Sequence, residues 1–285
     1  MTIAITPEIE RSERQLETDF VYLPVNRYAG LITVVAAICL FAALVLGLES
    51  APPAEVEMAG FATSLAERTE SQQFNARKAA AAINNTVLQP GGEFSFNRAV
   101  RSWSLDRGYV KAPVSYDGEL IRAYGGGVCQ TSTTLYNAAL LAGLTILERH
   151  PHEFAPHYVP PGRDAAVAQY DVDLRFRNPY KYPVRIVVDA SGDKLEARVM
   201  GAKKPDNAIA IETERLATVV PRRLTRIASN DPIGPKRRYL RNPGAYGRRV
   251  VSYRCYSRDG STVRREMLGD DSYQAMNRVV QVSDD

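Results

Sequence analysis

Cysteine and histidine are scarce in this sequence, which has 285 residues and only three of each. Three cysteines are too few for the disulfide framework of a small secreted domain. Neither the HExxH nor the CxxC spacing occurs, so the strongest sequence patterns for a bound metal are missing. With 45% hydrophobic and 24% charged residues, the composition is typical of a globular protein and excludes a wholly disordered chain.

Charge is absent from one long apolar run, residues 29–48. A helix needs about 20 apolar residues to cross a bilayer. The mostly polar segment that precedes the run is unusually long for a cleavable signal peptide. We therefore predict a transmembrane signal anchor at 29–48, with residues 1–28 as a cytoplasmic tail and 49–63 as a linker.

Lysine and arginine are also absent between Arg27 and Arg68. Arg27 abuts the N-terminal end of the apolar run, and basic residues near a membrane span favour the cytoplasmic side. The sequence thus predicts a single-pass membrane protein whose C-terminal domains are extracytoplasmic.

The part of the chain after the linker mixes helical and strand patterns. Apolar residues recur at helical spacing over 74–88 and 130–147, whereas 171–177 alternates with the period of a strand. A turn between 184–188 and 195–199 predicts a hairpin. The chain is therefore predicted to be α+β, with a mixed α/β domain at 64–201.

Residues 202–285 differ in charge and carry 17 lysines and arginines against 10 acidic residues. Val250–Tyr256 and Val263–Met267 flank an Asp-Gly turn, which predicts a small, basic all-β module suited to binding or spacing. Its short basic clusters are not interleaved with aromatic residues, so no nucleic-acid partner is expected. Phospholipid headgroups or anionic wall polymers are the anionic partners it would suit.

The most informative motif is Gly-Gly-Gly-Val-Cys-Gln-Thr-Ser-Thr-Thr-Leu-Tyr, residues 125–136. The glycines allow a sharp turn, and the apolar residues that follow have helical spacing. Cys129 is therefore predicted at the start of a buried helix. The unpaired N–H groups and positive dipole end there favour a thiolate.

All three histidines fall between residues 150 and 157, close in sequence to Asp164. This clustering suggests a relay in which Cys129 is the nucleophile, His152 or His150 is its base, and Asp164 orients the imidazole. The backbone amides around Cys129 and Gln130, together with the Gln130 side chain, would form an oxyanion hole.

A metal site is a second hypothesis for the same residues. Two histidines separated by one residue share a face in an extended segment, and further ligands could complete a tetrahedron. The ligand set would come from His150, His152, His157, Cys129 and Asp164.

Structural roles are the third hypothesis. A lone cysteine is commonly a small buried residue, and the histidines could bond to loop carbonyls. In an oxidising compartment, Cys129 could also pair with Cys255 as a disulfide. The sequence leaves these alternatives open.

With these motifs in view, the chain resembles the VanW family over about residues 64–201. The glycine-cysteine motif is the most specific part of the match. The other matching segments are Phe74–Arg77, Gly92–Asn97, Glu148–His152, Tyr158–Ala165 and Asp173–Asn178. The C-terminal region is similar to G5-type domains, a weaker resemblance that rests on Gly244, Gly247, the Val250–Tyr256 strand and Asp259-Gly260.

The resemblance implies a cell-envelope protein, because VanW members usually lie at the cell surface and G5 modules are thought to bind amino sugars or wall glycans. The expected activity is cysteine-dependent acyl or amide transfer, or hydrolysis, on peptidoglycan or related wall material. The alternatives are a non-catalytic wall- or glycan-binding or scaffold protein and, third, a metal-binding domain. The expected partners are a wall glycan or peptide component and the membrane through one helix; no cofactor is implied.

Overall fold

The computed structural model describes residues 29–49, 54–116, 119–228 and 238–283. The chain divides into two compact units, Met1–Pro52 and Pro53–Asp285. The predicted cytoplasmic tail, residues 1–28, lies outside the described residues.

The first unit contributes the helix α1, Ala29–Glu49, at the position of the predicted membrane anchor. Among the described residues, however, no helix has both the length and the apolarity needed to cross a membrane. The predicted single-pass membrane localisation is wrong on this finding, and the predicted anchor and membrane partner are unsupported.

The second unit is mostly β, so the described fold is mixed and dominated by strands. Its helices are α2 (Glu70–Ile83), α3 (Phe96–Val100) and α4 (Val128–Leu141), with a 3₁₀ turn at Leu105–Arg107. The first nine strands are β1 (Val56–Ser64), β2 (Thr86–Leu88), β3 (Glu93–Ser95), β4 (Lys111–Tyr116), β5 (Glu119–Tyr124), β6 (Thr145–Glu148), β7 (Arg175–Arg177), β8 (Val184–Asp189) and β9 (Lys194–Gly201). They are followed by β10 (Ala208–Val219), β11 (Arg223–Ala228), β12 (Arg238–Asn242), β13 (Gly247–Arg258), β14 (Ser261–Tyr273) and β15 (Arg278–Ser283).

An antiparallel sheet in the order β1-β9-β8-β2 forms one side of the hydrophobic core. The predicted hairpin is confirmed as β8–β9, in which every second residue is buried. This alternation buries one face of the sheet against the helices and leaves the other face partly open to solvent.

Strand β1 lies mostly within residues 49–63, the segment predicted to be a linker. It pairs with β9 along its length, from Val56 opposite Gly201 to Ser64 opposite Lys194. The strand does not alternate strictly between polar and apolar residues, and a bulge interrupts its register at Glu57. Its place in the sheet is therefore fixed by pairing with β9 rather than by a pattern visible in the sequence.

Helices α2 and α4 pack on the sheet and on each other. Thr69 caps α2 in a reciprocal capping box with Gln72, which fixes where the helix begins. The buried face of α2 is made of small and aliphatic residues at helical spacing: Ala76, Ala79, Ala80 and Ile83. The small alanines permit close packing of α2 on α4.

Two smaller sheets lie in the same unit. One has the order β3-β7-β6, and Phe94 stacks on Phe176 in it with ring centroids 4.7 Å apart. The other is the β4–β5 hairpin. The long loop between β6 and β7 carries the histidines and Asp164.

After residue 202, the described chain contains strands and no helix, arranged as the sheets β10-β13-β14 and β11-β15-β12. The predicted hairpin is present as β13–β14, while β15 pairs in parallel with β11. Where the domain boundary lies stays a prediction.

Candidate active site

Three glycines fix the backbone at the start of α4. Gly125 and Gly127 have φ angles of +82° and +109°, a region that favours glycine. A Cβ atom at Gly127 would collide with the carbonyl oxygen of Gln72, and one at Gly126 would lie 2.6 Å from the carbonyl oxygen of Pro113. Side chains here would therefore push α4 away from α2 and from β4.

Cys129 lies in the first turn of α4 and is the one residue of 128–140 that is only partly buried. Its buried neighbours are held by hydrogen bonds: Thr131 donates to the carbonyl oxygen of Ala76 at 3.0 Å, and Ser132 to that of Ala165 at 2.5 Å. The thiol donates to the carbonyl oxygen of Val167 at 3.4 Å. The sulfur is thus presented from a rigid element, as a nucleophile requires.

His152 connects Cys129 to Asp164. Its Nδ1 lies 2.6 Å from Oδ2 of Asp164, and the same oxygen accepts the backbone N–H of His152 at 2.7 Å. Since Nδ1 is occupied, Nε2 is the ring nitrogen left to act on the thiol, and His152 and Cys129 line the same cavity and shift each other's pKa. The three side chains therefore follow one another in the order of a nucleophile, a base and an orienting carboxylate.

The electrostatics of the three groups support one another. Burial raises the pKa of the Cys129 thiol, but the hydrogen bond from His152 and its charge outweigh this, and the net pKa is lowered. Burial lowers the pKa of His152, but hydrogen bonds to Asp164 and Cys129 raise it overall to about 9. Burial opposes ionisation of Asp164, yet His152 and then Arg149 bring its pKa to about 2. These shifts favour the ionised forms of both Cys129 and His152.

Asp164 is fully buried and is held by more than His152. Nη2 of Arg149 lies 3.0 Å from its Oδ1, and the Tyr273 hydroxyl donates to the same oxygen. Arg149 also donates to the backbone carbonyl of Asp164 at 2.6 Å and forms a 2.5 Å ion pair with Asp271. A buried carboxylate with this many partners stays ionised and keeps one orientation.

Sequence reasoning missed Arg149, Asp271 and Tyr273. Arg149 adjoins His150 in the Glu-Arg-His-Pro-His motif, so its position was an available signal. Asp271 and Tyr273 lie on β14, and Tyr273 is 109 residues from Asp164 along the chain. No local pattern could have brought them to the site.

Gln130 is buried, and its side chain is turned toward β1. Its Nε2 donates to Thr63 Oγ1 at 3.0 Å and to the carbonyl oxygen of Ser64 at 2.7 Å. Its backbone N–H donates to the carbonyl oxygen of Gly127 at 3.1 Å. Both Gln130 donors proposed for an oxyanion hole therefore have other partners, which leaves the Cys129 backbone N–H, in the first helical turn, as the best-placed donor.

The other two histidines lie apart from the Cys129–His152–Asp164 relay. His150 is half exposed, with Nε2 3.0 Å from Oε1 of Glu148. His157 is exposed and packs edge-on against Tyr158; burial and the nearby charge of Arg68 lower its pKa. The structure thus brings His152, and not His150, to Cys129.

A cavity of about 280 Å³ opens beside the sulfur. Residues from the start of α2, the glycine turn and the loop that carries the histidines surround it. Its lining includes Arg68, Cys129, His152, Phe154 and Tyr158. A mostly apolar cavity with a few convergent polar groups and perturbed pKa values has the character of a substrate site.

The alternative roles for Cys129 can be compared with this geometry. Cys129 and Cys255 are both free thiols, so the disulfide alternative is not realised. Within the described ranges, no three or more His, Cys, Asp or Glu side chains are grouped so as to hold a metal ion.

The family model described as "VanW like protein" matches residues 71–200. Over 139 residues the chain is 41% identical to "Uncharacterized protein YoaR" of Bacillus subtilis (strain 168), covering 49% of this chain and 46% of that protein. Over 141 residues it is 32% identical to "Vancomycin B-type resistance protein VanW" of Enterococcus faecalis (strain ATCC 700802 / V583), covering 48% of this chain and 51% of that one. The chain thus spans about half the length of these relatives.

Solved G5 domains are also similar to part of the chain. The G5 domain of IgA1 protease matches at 18% identity, covering 28% of this chain and 93% of that domain, with a TM-score of 0.19. HP0197-G5 matches at 18% identity, covering 26% and 95%, with a TM-score of 0.15. The predicted resemblance to the VanW family is confirmed by the matches over residues 71–200, while TM-scores this low carry no argument about the C-terminal region.

Proposed function

The chain belongs to the VanW family through residues 71–200, and on that premise we propose that it is a cell-wall-associated enzyme whose Cys129 transfers or hydrolyses acyl groups of peptidoglycan or related wall material. The observation that carries the proposal is the Cys129–His152–Asp164 relay beside an open cavity. The name of the enterococcal relative, a vancomycin resistance protein, supports the choice of wall material.

In the proposed reaction, the Cys129 thiolate attacks the carbonyl carbon of an amide. The amide C–N bond breaks, the leaving amine takes the proton of the His152 imidazolium, and the acyl group stays on sulfur as a thioester. An amine or a water molecule then attacks the thioester and gives its proton to His152. The products are a new amide or a free acid, and the thiolate–imidazolium pair is restored.

The surrounding groups have defined parts in these steps. Asp164 fixes the His152 ring and stabilises its charged form without itself gaining a proton. When the thiolate attacks, the carbonyl oxygen of the substrate becomes negative. In this proposal it accepts a hydrogen bond from the backbone N–H of Cys129, at the positive end of α4.

The first test is alkylation of Cys129 by iodoacetamide as a function of pH, followed by mass spectrometry of the Cys129 peptide. The wild-type thiol is expected to react with a midpoint below about pH 8.5, the ordinary value. In His152→Ala both effects of His152 that lower the thiol pKa are lost, whereas burial, the largest effect, still raises it and only the hydrogen bond to Val167 still lowers it, so the midpoint should rise above the ordinary value. His150→Ala is the matched control and should leave the midpoint unchanged, because His150 bonds to Glu148.

The second test is incubation with peptidoglycan peptide fragments and a search for an acyl adduct on Cys129, with Cys129→Ala as the blank. An adduct that turns over supports the enzyme. Saturable binding of wall fragments by both proteins, without an adduct, would instead favour the non-catalytic wall-binding alternative.

A further inference from the structure

Arg68 is a positively charged residue in the lining of the Cys129 cavity, and none of the described residues that line this cavity is acidic. The residue directly precedes Thr69, the capping residue of α2, so its backbone is held at a defined point. Its guanidinium carbon lies 5.5 Å from the centroid of the Tyr158 ring. Its Nε is buried and has no hydrogen-bond partner in the described part of the chain.

The other walls of the cavity do not compensate this charge. Among the described residues that line it there is no aspartate or glutamate, whereas His152 and His157 are present. With a pKa of about 9, His152 adds a second positive charge at neutral pH. The Cys129 thiolate offsets one of the two charges, and the cavity as a whole remains cationic.

Burial acts directly on Arg68. It lowers the pKa of the guanidinium, while Tyr158 and Cys129 act in the opposite direction. The guanidinium is thus partly desolvated, its Nε is buried without an acceptor, and its positive charge has no acidic partner among the described lining residues. An anion bound in the cavity beside the guanidinium would offset that charge.

We propose that Arg68 is the anion-binding residue of this cavity and holds a carboxylate of the substrate near the bond that Cys129 attacks. The inference rests on the proposed function and narrows its substrate class to acyl donors with a free carboxylate close to the reacting carbonyl. The planar guanidinium can form two parallel hydrogen bonds with a carboxylate. An amide or an ester in the same place is neutral and would not form the same charged pair.

The test compares two small alkylating probes of similar shape, anionic iodoacetate and neutral iodoacetamide, at Cys129 of the full-length protein. Peptide-resolved mass spectrometry gives the two rates at the same cysteine, and their ratio removes differences in thiol reactivity. We expect Arg68→Gln to lower the iodoacetate-to-iodoacetamide ratio on the order of tenfold, the loss of one charged hydrogen-bonded contact. Arg68→Lys, which keeps the charge and loses the fork, should give an intermediate ratio.

Arg107→Gln is the matched control, because it removes the same charge from an exposed position outside the cavity lining. Its ratio should equal that of the wild type. An unchanged ratio in Arg68→Gln would overturn the proposal, as would a slower reaction with both probes alike, which would make Arg68 a partner of the thiolate only. Failure of the proposed function has a different signature: the iodoacetamide midpoint of the wild-type thiol would lie at its ordinary pH whatever the ratio.

Discussion

The chain before residue 202 and the β region after it are held in place by different forces. Among the described residues, the buried members of the hydrophobic core all fall between Met58 and Val199. The later region buries few apolar side chains, and most residues of β10 are exposed. The first region therefore contains the packed hydrophobic core, and the second buries little apolar surface of its own.

Polar contacts join the second region to the first. Arg254 of β13 donates to the carbonyl oxygen of Leu144 at 2.8 Å and forms an ion pair with Glu266 at 3.0 Å. Ser252 donates to the carbonyl oxygen of Gly162 at 3.0 Å. Hydrogen bonds demand defined positions, so this junction orients groups more than it contributes burial energy, and Asp164 lies at the junction.

The largest effect is expected from truncating one leucine in each of the two regions. Leu140→Ala, at a fully buried position of α4, should lower the free energy of unfolding by about 2–5 kcal/mol. Leu224→Ala, at a largely exposed position of β11, should change it by less than about 0.5 kcal/mol. Urea unfolding followed by circular dichroism measures both; equal losses would contradict the assignment of the core.

The polar junction should respond to Arg254→Met, which keeps an apolar stem and removes the guanidinium. The carbonyl of Leu144 loses its donor and the carboxylate of Glu266 loses one of its donors, and the expected loss is about 2–3 kcal/mol. Arg264→Met is the control, because Arg264 is exposed and also bonds to Glu266 but makes no hydrogen bond to Leu144. If both variants unfold like the wild type, the junction is not maintained by Arg254.

The third prediction concerns acid and the buried carboxylate at the junction. Asp164 has a folded-state pKa of about 2, below its ordinary 3.8, so its contribution to stability is present above about pH 4 and lost as the pH falls through 2. The free energy of unfolding of the wild type should therefore exceed that of Asp164→Asn by roughly 2 kcal/mol near pH 6. This difference should shrink as the pH approaches 2. Asp193→Asn, at an exposed turn, should show no such trend; a difference independent of pH would contradict the role of the charge.

The smallest expected effect comes from Tyr273→Phe, which removes one hydroxyl and keeps the ring. That hydroxyl donates to Asp164 and accepts the N–H of Gly162 at 2.8 Å, so its loss should cost about 1 kcal/mol. Since the hydroxyl helps to lower the pKa of Asp164, the acid loss of stability should also begin at a higher pH. Tyr246→Phe, an exposed tyrosine, should change neither measurement.

Local signals in the sequence predicted several elements well. Strand-like segments on either side of a turn predicted the hairpins β8–β9 and β13–β14, because the pairing of two neighbouring strands depends on the short turn between them. The glycine run predicted the start of α4 near Cys129, since only glycine fits φ angles of +82° and +109° there. The helix predicted at 130–147 ends instead at Leu141, where Gly143 turns the chain into β6.

Other features had no local signal. Strand β1 lies mostly in the segment predicted to be a linker, and its edge position depends on pairing with β9. The choice of His152 over His150 depends on the loop conformation that turns one ring toward Asp164 and the other toward Glu148. The predicted membrane localisation rested on a run of apolar residues, but no helix among the described residues qualifies as a membrane span.

By itself, the sequence indicated the family resemblance over residues 71–200, the cysteine at a glycine-capped helix start and the set of residues from which a relay could be built, since each depends on residue types at short spacing. The tertiary structure decided which histidine meets the thiol, that Gln130 is turned toward β1, and that Arg149 and Tyr273 hold Asp164. It also placed Arg68 in the same cavity as Cys129. Those decisions depend on contacts between segments distant in the chain, which are fixed by packing and buried hydrogen bonds.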